Sequence, residues 1–311
     1  FAGAFGIFGH GNVACLGQAL EENKKELPTW RGHHEQNMAL TGIAFSRAKR
    51  RKQIFVATSS VGPGSTNMLT AAAVAMSNRL PMLFLPGDTY ANRMPDPVLQ
   101  QVEHFNNPNI TQNAFKYVTR YFDRITRPEQ ILQTFPQAIQ TMIDPADCGP
   151  ACISLSQDVQ GETFDYPEEF FNEKIHTIRR PRPDDYQIKQ AADLIKKSKN
   201  PIIISGGGIF YSDAMKELSQ FAKKHNIPTA QTVMGYSTMK KDDPYFLGAI
   251  GGFGGKAPND FMKKTDLAIA IGTKLADFTT GSWTNFENPN FKLVSINVSR
   301  FDANKHMAQS I

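Results

Sequence analysis

Short runs of apolar, often β-branched residues alternate with stretches of helical spacing along the whole chain. This alternation limits the fold more than any other feature. FGIFG, QIFVATSS, LPMLFLPGD and ACISLSQDV read as strands in the first half, and NPIIISGGG, DLAIAIGT and KLVSINV in the second. Between them, CLGQALEEN, HEQNMALTGIAFSRAKRR, STNMLTAAAVAMSNR, YQIKQAADLIKKSK and DAMKELSQFAKKHN read as helices. Strands that are apolar throughout belong in parallel sheets covered on both faces by helices. The expected fold class is α/β, with two doubly wound domains of mainly parallel sheet. The pattern stops at a Pro-rich, charged stretch (YPEEFF…RRPRPDD) and then restarts. That divides the chain into a domain over 1–165, a linker over 166–185 and a domain over 186–311.

A chain of 311 residues suits two domains of ordinary size. No run of about 18 apolar residues occurs, so no membrane span is expected. The opening run FAGAFGIFG has no basic n-region and does not read as a signal peptide; it reads as a strand cut close to its start. The net charge is +5, and the densest basic run is KRRK, Lys49 to Lys52. No aromatic residues interleave with it, so it reads as a cationic helix C-terminus and not as a nucleic-acid face. The three cysteines, Cys15, Cys148 and Cys152, complete neither a zinc site nor a disulfide scaffold. A reducing, cytoplasmic setting is expected.

Three motifs carry polar chemistry. In RGHHEQNMAL, His33, His34 and Glu35 sit at the head of a helix. Adjacent helical histidines project about 100° apart, whereas a helical zinc pair stands at i and i+4. Asn37 and Met38 occupy those positions here, so no metal is expected. Gly206 to Gly208 follow the strand PIIIS, but the spacing runs Gly206, Gly208, Tyr211, and no acidic residue ends the next strand, TAQTV. A tight turn that permits close helix–strand packing is the favoured reading over a dinucleotide cradle. The loop SSVGPGSTN, Ser59 to Asn67, brings hydroxyls, an amide and two glycines to a strand–helix junction, where backbone can pass close to a flat ligand.

The order of these pieces adds a resemblance. FGIFGHGN, the helix starting at HEQ, GPG-S-T-N, LPMLFLPGD and DPVLQQ closely resemble the pyrimidine-binding domain of the thiamine-diphosphate enzymes of the acetolactate synthase and pyruvate oxidase type. AADLI…NPIIISGGG…FAKKHNIPTAQT…LGAIG…DLAIAIGTKL resembles their Rossmann-like middle domain. Within that superfamily FGIFGHGNV, MPDPVLQQ, DRITRPEQ, ISLSQDVQGETFDYPEEFF and ADFTTGSWT are most similar to the branch that hydrolytically opens a six-membered cyclic polyhydroxy diketone in inositol catabolism.

The resemblance implies thiamine diphosphate and Mg²⁺ as cofactors. It implies that Glu35 is the catalytic carboxylate, which hydrogen-bonds the pyrimidine ring and makes its imino tautomer available as the base. It makes Ser60, Gly62, Pro63, Gly64 and Asn67 the wall around the pyrimidine. Gln100, with Gln101 in the adjacent register, falls where a family glutamine approaches the cofactor. The turn His10-Gly11-Asn12 stands where acetolactate synthases carry aromatic-Pro-Gly. That departure argues against a carboligase and supplies polar groups suited to a polyhydroxylated diketone. His10, Gly11 and Asn12 are expected to face substrate and His34 to line the same side; His33 reads as packing or surface.

In the family, a third domain holds the diphosphate through Mg²⁺ with Gly-Asp-Gly and a downstream Asn. Here the only Gly-Asp pair is Gly87-Asp88, followed by Thr89, and the stretch to Asn113 carries Pro95, Pro97 and Pro108. Prolines so placed do not allow the required helix. The chain is therefore expected to be an N-terminal fragment with half an active site, inactive alone. The whole enzyme is expected to be a homodimer or homotetramer with its site between subunits. Two alternatives remain: a thiamine-diphosphate-dependent carboligase or decarboxylase of 2-oxo acids, and a non-enzymatic module whose GGG turn holds a nucleotide.

Overall fold

Each buried apolar run becomes a strand whose neighbours are other such runs. A computed structural model describes residues 1–103, 107–306 and the backbone of 309–310. It divides into two units, Phe1–Arg179 and Arg180–Ile311.

The first unit runs β1 (Gly3–Gly6), α1 (Cys15–Glu22), β2 (Thr29–Arg31), α2 (Glu35–Ala48), β3 (Phe55–Ser59), α3 (Pro63–Thr66), α4 (Leu69–Asn78), β4 (Leu83–Pro86), α5 (Ile110–Ala114), β5 (Tyr121–Ile125), α6 (Ile131–Ile143) and β6 (Ala151–Leu155). Its sheet has the order β2-β1-β3-β4-β6-β5, with every pairing parallel. All five residues of β3 are buried, as a central strand requires. Val56, Leu83 and Ile153 meet Ala138 and Met142 of α6 in one cluster. Burying a side chain such as Ile153 contributes about 1.5–3 kcal/mol. On the other face, α2 buries Met38, Ala39 and Ile43, and α4 buries Ala71, Ala72 and Ala75.

The second unit runs α7 (Asp185–Lys197), β7 (Pro201–Ser205), α8 (Gly207–Tyr211), α9 (Met215–His225), β8 (Thr229–Gln231), β9 (Phe246–Ala249), α10 (Lys256–Lys264), β10 (Leu267–Ile271), α11 (Asp277–Thr280), β11 (Lys292–Ile296), α12 (Arg300–Asn304) and β12 (Gln309–Ser310). The sheet order is β12-β11-β10-β7-β8-β9, again all parallel. Period-two alternation divides the Ile triplet of β7 between two cores. Ile203 packs with Leu218, Ile269 and Val294; Ile202 and Ile204 pack with Met262, Ala268 and Ala270. The GGG turn is packing: a Cβ on Gly208 would lie 2.6 Å from Gly272 Cα, and Gly208 N–H donates to the Gly272 carbonyl at 2.9 Å.

Several local expectations shift. The first strand is Gly3–Gly6, not FGIFG, because Ile7 to Gly9 leave the sheet for the turn that Asn12 organises. The helix expected over STNMLTAAAVAMSNR is two helices, α3 and α4, broken between Thr66 and Leu69. The stretch expected as a linker is divided: Tyr166 Oη donates to the Pro128 carbonyl in the first unit, and Arg180 donates to the Tyr211 carbonyl in the second. KRRK lies at the C-terminal end of α2, with Lys49 Nζ 5.5 Å from the Phe45 ring. Cys148 and Cys152 are buried and free; desolvation pushes the Cys148 thiol up to about 11 and Cys152 well above its ordinary value. Among the described residues no helix is long and apolar enough to cross a membrane.

Candidate active site

The chain passes from β1 to β2 on one side and then to β3 on the other, so the sheet of the first unit reverses its winding at β1. In an open parallel sheet such a switch point leaves a crevice at the carboxyl ends of the strands. The segments that leave β1, β2 and β3 there are His10–Asn12, His33–Glu35 and Ser60–Asn67.

Glu35 is the first residue of α2 and is half-buried. Its Oε2 accepts a hydrogen bond from Asn67 Nδ2 at 2.7 Å, across 32 residues of sequence. The same Asn67 nitrogen lies 3.4 Å from Nε2 of His34, which is exposed. Pro63 opens the short α3, and Gly62 before it has a φ of 70°, the left-handed region where a side chain is strained. A Cβ there would lie 1.8 Å from the carbonyl oxygen of Gln100. At Gly64 a Cβ would lie 2.5 Å from Ser60 Oγ and 3.3 Å from Glu35 Oε1. The two missing Cβ atoms therefore let the loop close on Gln100 and leave Glu35 Oε1 unobstructed. Ser60 is buried and its carbonyl accepts from Ser65 Oγ at 2.7 Å.

The two glutamines are distinct in space. Gln101 is buried, accepting from Val98 N–H and donating to the Glu103 carbonyl. Gln100 is exposed with a φ of 68°, on the loop that meets Gly62. The expectation that Asn12 faces substrate is corrected. Asn12 is 1% exposed. Its Oδ1 accepts from Gly9 N–H at 2.9 Å, and its Nδ2 donates to the Ile7 carbonyl at 3.2 Å and Thr58 Oγ1 at 3.0 Å. All of its reach is inward, so it shapes the turn that presents His10. His10 is half-buried, Gly11 has a φ of 90°, and the His10 carbonyl accepts from Val61 N–H at 2.9 Å, joining this turn to the glycine loop.

A second layer lies behind the site. Asp88 is fully buried after β4. It pairs with Arg124 Nε at 2.7 Å and accepts from Ser154 Oγ at 2.8 Å and Thr89 N–H at 2.7 Å. Asp158, after β6, accepts from the N–H groups of Ala91 and Asn92 at 2.9 and 3.0 Å. Burial pushes the Asp158 carboxyl up, but those backbone donors outweigh it and hold it below the usual carboxylate range. The folded carboxyl thus titrates below the unfolded one. Its stabilisation is present above the ordinary Asp range near pH ~4 and fades as the pH falls through it. Thermal unfolding followed from about pH 6 to about pH 3 should show a steeper acid loss in the wild type than in Asp158→Asn. Parallel curves would remove this role from Asp158.

Asp88, Arg124, Gln157, Asp158 and Gln160 are not among the residues picked from sequence. The available signal was a set of polar residues directly after buried strands, DTY after β4 and SQDVQ after β6. Among the described residues, no three His, Cys, Asp or Glu side chains gather as a metal site. The arrangement can exchange a proton at a half-buried carboxylate and can present hydrogen-bonding groups to a flat, polar ligand.

The family description "thiamine pyrophosphate enzyme, N-terminal TPP binding domain" matches residues 2–111, and "thiamine pyrophosphate enzyme, central domain" matches residues 188–311. The chain is 48% identical over 304 residues to the 3D-(3,5/4)-trihydroxycyclohexane-1,2-dione hydrolase of Clostridium botulinum, covering 97% of this chain and 47% of that protein. It is 49% identical, with the same shares, to the 3D-(3,5/4)-trihydroxycyclohexane-1,2-dione hydrolase 1 of Bacillus cereus and to the 3D-(3,5/4)-trihydroxycyclohexane-1,2-dione hydrolase of Clostridium tetani. The chain spans about half the length of these curated relatives, 47% in each case.

Proposed function

Because the chain belongs to the thiamine pyrophosphate enzymes and carries their N-terminal binding domain and central domain, we propose that the whole protein hydrolytically opens trihydroxycyclohexane-1,2-dione. The reaction cleaves a ring C–C bond and yields 5-deoxyglucuronate, a step of myo-inositol catabolism. The observation that carries this reading is the 48–49% identity, over both domains, to proteins named for that hydrolysis.

The residues present fit thiamine diphosphate. Gly62 and Gly64 leave the wall of the crevice without Cβ atoms, and a half-buried carboxylate stands beside it. Ser60, Gly62, Pro63, Gly64, Asn67 and Gln100 would hold the pyrimidine, and Glu35 would bond its ring nitrogen. When bound, the cofactor supplies a nucleophilic carbon and then the electron sink for C–C cleavage. Asn67 donates to Glu35 Oε2, so the exchangeable proton of this carboxyl belongs on Oε1. Asn67 also fixes the rotamer of Glu35, so that the proton is met in one place. His10 would approach the substrate, with His34 near Asn67 on the same side; Gly11, expected to do the same, is buried with its carbonyl held by Gln160, and serves the turn instead.

The whole enzyme would hold the diphosphate through Mg²⁺, and would act as a homodimer or homotetramer with its site at the subunit interface. Met94, Leu99, Val102 and Tyr117 stand exposed in the same unit as the site, which suits a covered apolar face. A cytoplasmic setting suits the free, buried thiols. The test is an assay of the complete polypeptide with thiamine diphosphate, Mg²⁺ and the trihydroxy diketone. Ring opening is expected. Carboligation or decarboxylation of 2-oxo acids with the diketone left intact would overturn the reading.

A further inference from the structure

The segment after β6 grips the His10 turn with two glutamines. Gln160 Nε2 donates to the carbonyls of Gly11 and Leu155, both at 2.9 Å, and its Oε1 accepts from Leu16 N–H at 3.3 Å. Three residues earlier, Gln157 Nε2 lies 3.1 Å from Nε2 of the His10 ring. Gln157 is itself anchored, since its N–H donates to the Thr89 carbonyl at 3.1 Å and its neighbour Asp158 is tied to Ala91 and Asn92. From the other side, a Cβ on Gly11 would lie 2.9 Å from both N and O of Asp88. The backbone of the turn is thus held from both sides, and Gln157 is anchored beside the His10 ring.

The carboxamide nitrogen is a donor only. With the Gln157 carboxamide oriented as it stands, the ring nitrogen that faces its Nε2 accepts and carries no hydrogen. In a neutral imidazole the hydrogen then sits on the other nitrogen. Nδ1 of His10 has no hydrogen-bond partner among the described residues. We propose that Gln157 is a positioning residue that holds His10 in its Nδ1–H tautomer, so that the ring offers an N–H to an oxygen of the substrate. A polyhydroxylated diketone presents carbonyl oxygens that only accept, and this tautomer matches them. The substrate half of the proposal rests on the function proposed above; the tautomer does not.

The tautomer is read directly from ring ¹⁵N shifts by long-range ¹H–¹⁵N correlation on the ¹⁵N-histidine-labelled chain. It has seven histidines, and His10→Asn identifies the signal. The wild type should show His10 as Nδ1–H, the form that free histidine disfavours. Gln157→Met keeps the length and removes the donor, and should move His10 towards Nε2–H. A wild-type His10 already in the Nε2–H form, or a spectrum unchanged by Gln157→Met, overturns the proposal. In the complete polypeptide Gln157→Met should lower kcat roughly 10-fold, with KM changed less than about 2-fold, as expected for one oriented hydrogen bond. An unchanged kcat would remove the substrate role. If the wild type fails to open the ring, the functional reading falls, and the spectra still decide the tautomer.

Discussion

Glu35→Gln in the complete polypeptide is expected to lower kcat for the proposed ring opening by roughly 10²–10⁴-fold, the range for losing a positioned acid–base group. That corresponds to about 3–5 kcal/mol of barrier. The substitution is nearly isosteric, and Gln Oε1 can still accept from Asn67, so the helix start and the Asn67 contact are kept. What is lost is the exchangeable proton at the second oxygen. Stability should change little, because Glu35 is only half-buried and, among the described residues, makes one side-chain hydrogen bond. Asn67→Ala should be milder, since it frees the carboxylate without removing it. A Glu35→Gln enzyme with kcat within about 5-fold of wild type would take Glu35 out of the chemistry.

Asp88→Ala should cost about 3–5 kcal/mol of stability, the usual result of removing one partner from a buried ion pair. Asp88 has no exposure, and its loss leaves Arg124 facing Ser154 and the Tyr90 carbonyl without a counter-charge. For a unit of this size the melting temperature should fall by about 10 °C. Asp88→Leu with Arg124→Met should recover much of the loss, because an apolar pair of similar volume avoids the buried charge. Urea unfolding of the single and double variants checks both statements. A cost of Asp88→Ala below about 1 kcal/mol would show that the pair is not a structural lock. The same substitution should disturb His10, since the Asp88 backbone packs directly on Gly11.

These two residues differ in how they could be found. As a candidate, Glu35 is legible because a local word, HHEQ at a helix start, combines with a glycine loop of matching order. Asp88 carries no such word. Its importance comes from Arg124 and Ser154, 36 and 66 residues away, and nothing local to DTY announces them. Asn12 shows the reverse error: a polar residue in a glycine turn looks available, yet its amide is turned wholly inward to Ile7, Gly9 and Thr58. The short edge strands β2 and β9 are likewise silent, because three or four half-buried or exposed residues leave no apolar run.

By itself the sequence determined the α/β class, the central strands, the repeat of the pattern across two units and the glycine loop after β3. Those features rest on local periodicity and backbone sterics, which act within about ten residues. Only the tertiary structure decided which polar side chains share the crevice and which serve the fold. Parallel strands deliver their carboxyl ends to one edge, so Glu35 meets Asn67 and His10 meets Gln157 across 32 and 147 residues. A hydrogen bond is decided within a few tenths of an ångström by the register of strands far apart in the chain, and no local pattern carries that information.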